Sequence, residues 1–558
     1  MSVATHKVTT PPHEQPGTTT QPTMVTRGVR WYLRDNSAAA ITSHSAPDWF
    51  GLGDDPRAEL VKRNPLREVY RVRLSGGVFF AKVFEHGGPV ATLKRWITGP
   101  PAQREFRLAQ ALSDARIGTI RAVAAGIARS SRRSALISEE FSGAQTLARL
   151  WERSGIARRL LLECVAVFLA KTHAAHVLPR DTHPDNLLLR PGTVHGEWEF
   201  AYADLAGMRV GPPVADPEAA HNLAELYQWF HARSTVTQRL RFLRAYVNER
   251  FGGYRQTWKP WVFLLEAAIE AHQRKLWAKR DGRILATNTY FARADLSDNW
   301  TAHLVLRCRD DGLGLTPFEG ERTPAQWQHW LGEYLPDLAG TLPAGLPEDL
   351  GLQRRRADRW RDFWWLLAGT PLRHTFVWAH RLRHRDLPAW HLPALFERRP
   401  WGEAAECVLL VHRPIANEPL RETARRLSED RVRAAQTGGR SRAHRRLLRA
   451  TAHLLADMVQ RGVVAPSLTL DAFAVVPGPD PDQPIVCISD FRGLRVHRRP
   501  VPAVAAWMPA CLLRECPSAM TRADRLRFLL SYRYRLPRAL RGSGWKTLWK
   551  RIEAFVTD

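Results

Sequence analysis

Residues 179–189 read PRDTHPDNLLL, in which an aspartate is followed five positions later by an asparagine that leads into an apolar strand. The segment follows a long apolar helical stretch, residues 160–178, so Asp181 and Asn186 share one short loop between two apolar elements. A carboxylate can accept a proton from an attacking hydroxyl, and an amide oxygen is a hard ligand for Mg²⁺. The Asp-x4-Asn spacing therefore predicts a catalytic base, Asp181, beside a metal ligand, Asn186.

A second acid lies 23 positions beyond Asp181, in the segment FAYADLAGM of residues 200–208. Asp204 ends an apolar stretch there and is followed by Leu-Ala-Gly. In phosphoryl transfer a carboxylate at such a strand end binds the Mg²⁺ that bridges the β- and γ-phosphates of a nucleotide. We therefore predict Asp204 as the second metal ligand.

Two charged residues upstream fit the same chemistry. Short apolar runs around Gly76-Gly77 predict a β-hairpin, which puts Lys82 on a strand. Residues 102–120 have helical periodicity, with Glu105 near the start of the helix. A lysine ammonium is useful against phosphates only when it is held in place, and a glutamate on the next helix can hold it. Lys82 and Glu105 are therefore predicted to serve ATP binding.

The stretch SALISEEFSGAQTLARLW, residues 134–151, reads as an apolar strand, a short connector and a helix. In a two-lobed kinase such a connector is the hinge between the lobes, so we expect backbone groups from Glu139 to Phe141 to meet adenine. The order of these segments predicts an α+β fold, an ATP-dependent, eukaryotic-like kinase core over residues 60–210.

The chain resembles the bacterial lipopolysaccharide kinases that phosphorylate Kdo or heptose in the inner core. The resemblance runs from about Tyr32 to Phe251 and rests on the Lys82 strand, ALISEEFSG, RDTHPDNLLL and YADLAGMRVG. It implies a bilobal kinase-like fold, Mg²⁺ and ATP as cofactors, and transfer of the γ-phosphate to a sugar hydroxyl of a glycolipid. It also implies peripheral contact with the cytoplasmic face of the inner membrane.

Two departures from protein kinases weaken an assignment to that class. Pro179 stands where the catalytic loop of protein kinases has a histidine, and KRNPLREVYRV stands where a Gly-rich loop is expected. Phosphate contact is then expected from Lys62, Arg63 or Arg67 rather than from backbone amides. The pattern D-x-HPDN is also similar to that of aminoglycoside phosphotransferases.

The chain contains a second, altered copy of this segment. A shift of 286 residues sets Asp204 on Asp490 and Gly207 on Gly493 without a gap, and an upstream shift of 270 sets Phe106 on Phe376. The alternative is an unrelated helical domain with chance matches.

The catalytic positions are replaced in the second copy. Ser467 stands for Asp181, Ala472 for Asn186 and Thr375 for Glu105, and no lysine occurs between Lys279 and Lys546. The sequence therefore predicts a tandem protein-kinase-like bilobal fold whose second copy is a degenerate pseudokinase. We expect a disordered tail at 1–26, an active domain at 27–300 (N-lobe about 27–140, C-lobe about 141–300) and a degenerate domain at 301–558.

The amino-acid composition indicates which classes of partner the chain can attract. The chain has 82 Lys and Arg residues against 55 Asp and Glu, a formal charge of +27, which attracts anionic surfaces. The basic runs lack the spacing of a known nucleic-acid motif, so we expect contact with an anionic membrane and no specific nucleic acid. No window has the roughly 18 apolar residues of a membrane-spanning helix, and we expect a cytoplasmic protein.

Three functions remain open from the sequence. The first is an enzyme that binds nucleotide and phosphorylates a glycolipid or sugar acceptor. The second is a protein or small-metabolite kinase, although the chain after Gly207 lacks the Ala-Pro-Glu that ends an activation segment. The third is a non-catalytic pseudokinase scaffold at an anionic membrane surface, against which the five predicted site residues together argue.

Overall fold

The structure, a computed structural model, describes residues 23–35, 39–43, 45–64, 66–85, 98–129, 131, 133–153, 158–192, 198–231, 233–253, 258–296, 299–307, 325–327, 350–357, 365, 369–398, 405–412, 417–436, 442–465, 468–478, 483–497, 502–515, 520–537, 540–541 and 545–557. The chain divides into two compact units, Met1–His272 and Gln273–Asp558. Both combine helices with antiparallel sheets, so the predicted α+β class is confirmed.

The first unit begins with a seven-stranded antiparallel sheet in the order β1-β2-β6-β7-β5-β4-β3. Its strands are β1 (Thr23–Thr26), β2 (Val29–Leu33), β3 (Ala58–Asn64), β4 (Arg67–Leu74), β5 (Gly77–Phe84), β6 (Ala122–Ala128) and β7 (Ser134–Glu139). A short helix, α1 (Ala39–Thr42), follows β2. The predicted hairpin is formed by β4 and β5, because their register sets Leu74 opposite Gly77.

Helix α2 (Pro101–Asp114) packs on this sheet and places the predicted pair. Pro100 and Pro101 fix the chain direction at its start, since proline suits the first helical turn. Phe106, Ala109 and Leu112 are fully buried at helical spacing. The same burial brings Glu105, which precedes Phe106, toward β5 rather than toward solvent.

The rest of the first unit is mainly helical. Its helices are α3 (Leu147–Glu152), α4 (Arg158–Ala174), α5 (Asp216–Phe230) and α6 (Val236–Arg250), and α7 (Trp258–Asp281) begins in this unit and continues past the division at His272. Its strands are β8 (Gln145–Thr146), β9 (Val177–Leu178), β10 (Leu187–Pro191), β11 (Trp198–Tyr202) and β12 (Arg209–Val210). Strands β11, β10 and β8 form one small sheet and β12 and β9 another.

The prediction of a disordered tail over residues 1–26 is wrong for its last four residues. Thr23–Thr26 form β1, paired with β2 from Thr23 opposite Tyr32 to Thr26 opposite Val29. Arg27 and Gly28 have φ of 50° and 74°, the two positive values that a two-residue hairpin turn requires. The polar composition hid this strand, because an edge strand is stabilised by its backbone ladder rather than by apolar side chains. The preceding residues lie outside the described part.

The second unit also opens with an antiparallel sheet, in the order β13-β14-β16-β17-β15. Its strands are β13 (Phe291–Asp295), β14 (Trp300–Val305), β15 (Leu350–Arg356), β16 (His391–Arg398) and β17 (Glu406–His412), and α8 (Pro371–His384) packs on it. The predicted domain boundary at 300 is therefore too late. The β13–β14 hairpin pairs with β16 of the second unit, and the division falls at His272.

Helices and short strands complete the second unit. They are β18 (Glu418–Pro419), α9 (Leu420–Gln436), α10 (Arg442–Gln460), β19 (Val463–Val464), β20 (Phe473–Val476), β21 (Ile485–Ile488), β22 (Arg495–Val496), α11 (Pro502–Arg514), α12 (Arg522–Arg535) and α13 (Trp545–Thr557). Pairs β9/β12 and β19/β22 start 286 residues apart, as do α6 and α12. Among the described helices, none is long and apolar enough to cross a bilayer.

Single hydrogen bonds repeat at the same offsets. In the first unit the Ala203 N–H donates to the Asn186 carbonyl, and 286 residues later the Ser489 N–H donates to the Ala472 carbonyl. Upstream, the Ile120 N–H donates to the carbonyl of Tyr202. Its counterpart is Trp390 N–H to Ile488, at offsets of 270 and 286. The α6 cap, Thr235 with Gln238, recurs at α12 as Thr521 with Asp524.

Candidate active site

Lys82 and Glu105 meet as predicted. The Lys82 Nζ lies 3.2 Å from Glu105 Oε2, and the two side chains are 12% and 4% exposed. The ammonium also donates to the Ala203 carbonyl at 2.8 Å and lies 3.7 Å from Asp204 Oδ1. Glu105 on α2 and the consecutive residues Ala203 and Asp204 after β11 therefore hold the lysine from two sides, the arrangement that a phosphate-binding ammonium needs.

Asp204 lies at the centre of the site. Its Oδ2 accepts a hydrogen bond of 2.9 Å from Arg67, and its Oδ1 accepts the Ala206 N–H at 3.2 Å. Burial raises the pKa of this carboxyl, but the Lys82 ammonium and the Arg67 guanidinium outweigh burial, so the pKa lies below its ordinary value. Asp204 is therefore an anion at neutral pH, as a metal ligand must be.

The predicted base, Asp181, and the predicted metal ligand Asn186 share one loop. Asp181 is exposed, and Asn186 ends the 3₁₀ turn Pro184–Asn186. The Asn186 Nδ2 donates to the backbone carbonyl of Asp181 at 3.3 Å. This bond uses the nitrogen of the amide and leaves its oxygen as the atom suited to a hard cation. With the Asp204 carboxylate, the site has the donor set that Mg²⁺ prefers.

A buried asparagine supports the loop in which Pro179 replaces the usual histidine. Asn222, on α5, donates to the Pro179 carbonyl at 2.7 Å and to Thr182 Oγ1 at 2.5 Å. Its Oδ1 lies 3.1 Å from His173 Nε2, and His173 Nδ1 lies 2.7 Å from the Tyr246 hydroxyl. Burial, reinforced by Arg250, lowers the pKa of His173 to about 4, so the ring is neutral at pH 7.

The sequence missed this network because its members are distant from the catalytic loop. The residues AHNLAEL of α5 and KTHA of α4 contain the polar members within apolar runs. A buried polar residue in an apolar stretch must have a hydrogen-bond partner, and that requirement was the available signal.

The connector after β7 is anchored on both sides. The Glu139 N–H donates to the Arg121 carbonyl and the Glu140 N–H to the Val78 carbonyl, each at 2.9 Å. The guanidinium of Arg190 lies 4.3 Å from the centre of the Phe141 ring. The two donors at the start of the connector are therefore used by the sheet, and the role of Glu139 and Phe141 in adenine binding stays a prediction.

The three basic candidates for phosphate binding have different surroundings in the structure. Arg63 contacts Glu68 at 2.6 Å, and Lys62 is exposed. Arg67 alone among the three contacts Asp204, and it also interacts electrostatically with Glu105 and Asp181. It lies at the start of β4, where its guanidinium can supply the donors that a Gly-rich loop would otherwise provide.

Arg67→Ala should raise the KM for ATP by about tenfold, because one charged hydrogen bond contributes about 1.5 kcal/mol. Steady-state kinetics at saturating acceptor would measure it. Arg63→Ala is the matched control, since it removes the same charge four residues earlier, on β3, where the side chain contacts Glu68. An equal rise of the KM for ATP in both variants would show a general effect of charge and contradict a specific role for Arg67.

One protein-family model matches the part of the chain that contains most of this site. The Lipopolysaccharide kinase (Kdo/WaaP) family profile covers a segment that contains Glu105, Asp181, Asn186 and Asp204. Residues 92–246 match the lipopolysaccharide kinase family. Lys82 precedes the matched segment. The match supports phosphotransferase activity on a sugar hydroxyl, and kinases of this family use ATP.

One solved structure, described as WaaP in complex with acyl carrier protein, aligns with 44% of this chain and 99% of its own. The identity is 21% and the TM-score is 0.33. No curated protein sequence matches the chain.

The corresponding region of the second unit is chemically different. The ladder of β15 and β17 puts Gln353 opposite Leu409, as β5 and β7 put Lys82 opposite Leu136. Thr375, on α8, bonds to its own helix at the Pro371 carbonyl. Ala472 ends the 3₁₀ turn Leu470–Ala472 of the second unit, and Ser467 lies outside the described residues.

Asp490 lies 286 residues after Asp204 and has a different partner. Arg492 donates to both of its oxygens, at 2.7 to 3.0 Å. Burial raises the pKa of Asp490, but the bonds from Arg492 outweigh burial, so this pKa lies below its ordinary value. The carboxylate borders a cavity of about 310 Å³ that Met458, Ala472 and Phe473 also line. Its negative charge is neutralised by a neighbour two residues away.

Proposed function

We propose that the first unit is an ATP-dependent kinase that transfers phosphate to a sugar hydroxyl of the lipopolysaccharide inner core, Kdo or heptose, or of a related glycolipid. The observation that carries this proposal is the cluster of Lys82, Glu105 and Asp204 in one cleft. The family match over residues 92–246 narrows the acceptor to a sugar hydroxyl.

Each residue of the cluster has a proposed role. Lys82, held by Glu105, binds the nucleotide phosphates, and the connector from Glu139 to Phe141 meets adenine. Asn186 and Asp204 would hold Mg²⁺, which neutralises charge on the phosphates when bound. Asp181 accepts the proton of the acceptor hydroxyl as the hydroxyl oxygen attacks the γ-phosphorus of ATP, and the bond from that phosphorus to the bridging oxygen breaks to release ADP. Its exposure suits an acceptor that enters from solvent or from a membrane surface.

The chain after Gly207 favours a small acceptor over a peptide. Strand β12 ends at Val210 and α5 begins at Asp216, so little chain separates the metal-binding segment from the next helix. Protein kinases use a longer activation segment here to position their substrate. A protein kinase is therefore the weaker alternative. The retained cluster of Lys82, Glu105 and Asp204 also argues against a purely non-catalytic scaffold.

Incubation of the full chain with Mg²⁺ and γ-labelled ATP should label a Kdo-containing or heptose-containing lipid A precursor. The Asp181→Asn variant should give labelling reduced at least about 100-fold, the lower range for loss of a general base. Comparing acceptors with and without heptose identifies the sugar. Label found only in protein or in a water-soluble metabolite would overturn the glycolipid proposal.

We propose further that the positive charge holds the enzyme on an anionic membrane surface. The formal charge is +27, and attraction between exposed charges is screened over about 8 Å at physiological salt. Sedimentation with acidic liposomes should fall steeply as salt rises from 50 to about 500 mM. Neutral liposomes are the control, and binding that is absent or unaffected by salt contradicts the proposal.

We propose that the second unit is a kinase-like copy without phosphotransfer activity. The repeated hydrogen bonds at an offset of 286 support a common fold for the two helical parts. The replacement of Lys82 by Gln353 and of Asn186 by Ala472 supports loss of chemistry. A role in shaping or regulating the active unit fits a copy that keeps the fold and loses the ligands.

A further inference from the structure

Three side chains outside the catalytic cleft converge on the first unit. His221 and Glu225 lie one helical turn apart on α5, and His272 projects from α7. One ligand atom from each residue lies within 4.8 Å of the other two, and the two imidazole rings are 5.7 Å apart. All three side chains are half-buried.

This donor set selects one class of ion. Two imidazoles and one carboxylate suit Zn²⁺ and similar transition metals, whereas Mg²⁺ and Ca²⁺ prefer oxygen ligands alone. Tetrahedral bonds of about 2.0 Å place ligand atoms roughly 3.3 Å apart. The three atoms must therefore approach by about 1.5 Å at most, which rotation of the side chains supplies without movement of either helix.

The cluster is connected to the catalytic loop. Glu225 Oε2 accepts the backbone N–H of Thr182 at 3.4 Å, and Thr182 directly follows Asp181. A carboxylate has two oxygens, so Glu225 can bind an ion with one and retain Thr182 with the other. An ion at this place would fix the carboxylate that supports the loop carrying the proposed base.

The second unit provides an internal comparison. At the offset of 286, Trp507 stands for His221 and Cys511 for Glu225. The repeated helices keep their positions, so the fold itself does not require the two ligands. The histidine and the glutamate occur in the unit that also has Asp181 and Asn186, and they are absent where those catalytic positions are replaced.

We propose that His221, Glu225 and His272 form a binding site for a zinc-class divalent ion, which joins α5 to α7 behind the catalytic loop. The fourth position of the tetrahedron is left to water, since three protein ligands are available. The site is separate from the proposed Mg²⁺ ligands, and excess Mg²⁺ does not compete for its imidazoles.

The test is metal binding by the full chain after treatment with a chelator. Equilibrium dialysis against Zn²⁺ in the presence of millimolar Mg²⁺ should give one tight equivalent. His221→Gln, Glu225→Gln and His272→Gln should each weaken it, the histidine variants by more than about 100-fold. His231→Gln, just beyond α5, and Glu270→Gln, on α7, are matched controls that should bind as the wild type does.

The visible spectrum of Co²⁺ gives a second measurement that needs no variant. Imidazole and carboxylate ligands in tetrahedral geometry give d–d absorption without a thiolate charge-transfer band. The four described cysteines are free thiols, so a thiolate band would place the ion on cysteine and overturn the proposal. Tight binding that survives both histidine substitutions would overturn it too. Both readouts are independent of kinase activity, so the kinase proposal stands or falls separately.

Discussion

Asp181→Ala should lower the turnover number for phosphoryl transfer by about 10² to 10⁴, the usual contribution of a positioned general base. The affinity for Mg²⁺ and ATP should stay within a few fold, because the proposed role of Asp181 concerns the acceptor hydroxyl, whereas the proposal assigns binding of nucleotide and metal to Lys82 and Asp204. Single-turnover kinetics and calorimetric titration with a non-hydrolysable nucleotide measure the two quantities.

Two further variants sharpen this result. Asp181→Asn keeps the size of the side chain and removes only the proton acceptor, so it should be as slow as Asp181→Ala. Glu152→Ala removes an exposed acid at the end of α3 and should be as active as the wild type. Normal turnover in Asp181→Ala would show that another group, or solvent, accepts the proton.

The parts of the site that the sequence predicted are those whose chemistry leaves few options. A lysine on an apolar strand and a glutamate on an apolar helix are costly to bury alone, so their pairing was a strong expectation. The 3.2 Å contact between Lys82 and Glu105 confirms it. Asn186 likewise lies in a short loop whose ends are fixed by β9 and β10, so its proximity to Asp181 follows from chain length.

The parts that the sequence missed depend on distant elements. Asn222 reaches the Pro179 carbonyl from α5, and only the packing of α4, α5 and α6 decides that it points there. Arg67 was one of three basic candidates, and its selection depends on the register of β4 against β5. Local pattern cannot order such alternatives, because side-chain direction on a strand changes with every residue.

The second unit shows the same limit in reverse. The ungapped offset of 286 could be detected from the sequence, because turns, helix caps and buried positions of the helical part of the first unit recur in the second unit at that constant spacing. The sheet was harder, since its offsets differ between segments, from 270 between Ile120 and Trp390 to 273 between Leu136, which pairs with Lys82, and Leu409, which pairs with Gln353. Insertions between strands change the offset without changing the ladder. Gln353 as the counterpart of Lys82 therefore emerged only from strand pairing.

A matched pair of substitutions at this offset should give opposite results. Asp204→Ala should reduce kcat/KM for ATP at least about 100-fold, because it removes the proposed metal ligand and an anion that Lys82 and Arg67 contact. Asp490→Ala should leave kcat/KM within about twofold. Asp490 is bound by Arg492, and Gln353 and Ala472 supply neither an ammonium nor a second ligand for Mg²⁺ beside it.

The comparison works in the full chain, so it does not require either unit to fold alone. Circular dichroism and thermal unfolding should show that both variants keep the native fold. Nucleotide titration of Asp204→Ala should reveal whether any tight site for Mg²⁺ and ATP remains. A remaining site that Asp490→Ala removes would mean that the second unit binds nucleotide. The absence of tight binding in Asp204→Ala, with normal binding in Asp490→Ala, would assign the chemistry to the first unit.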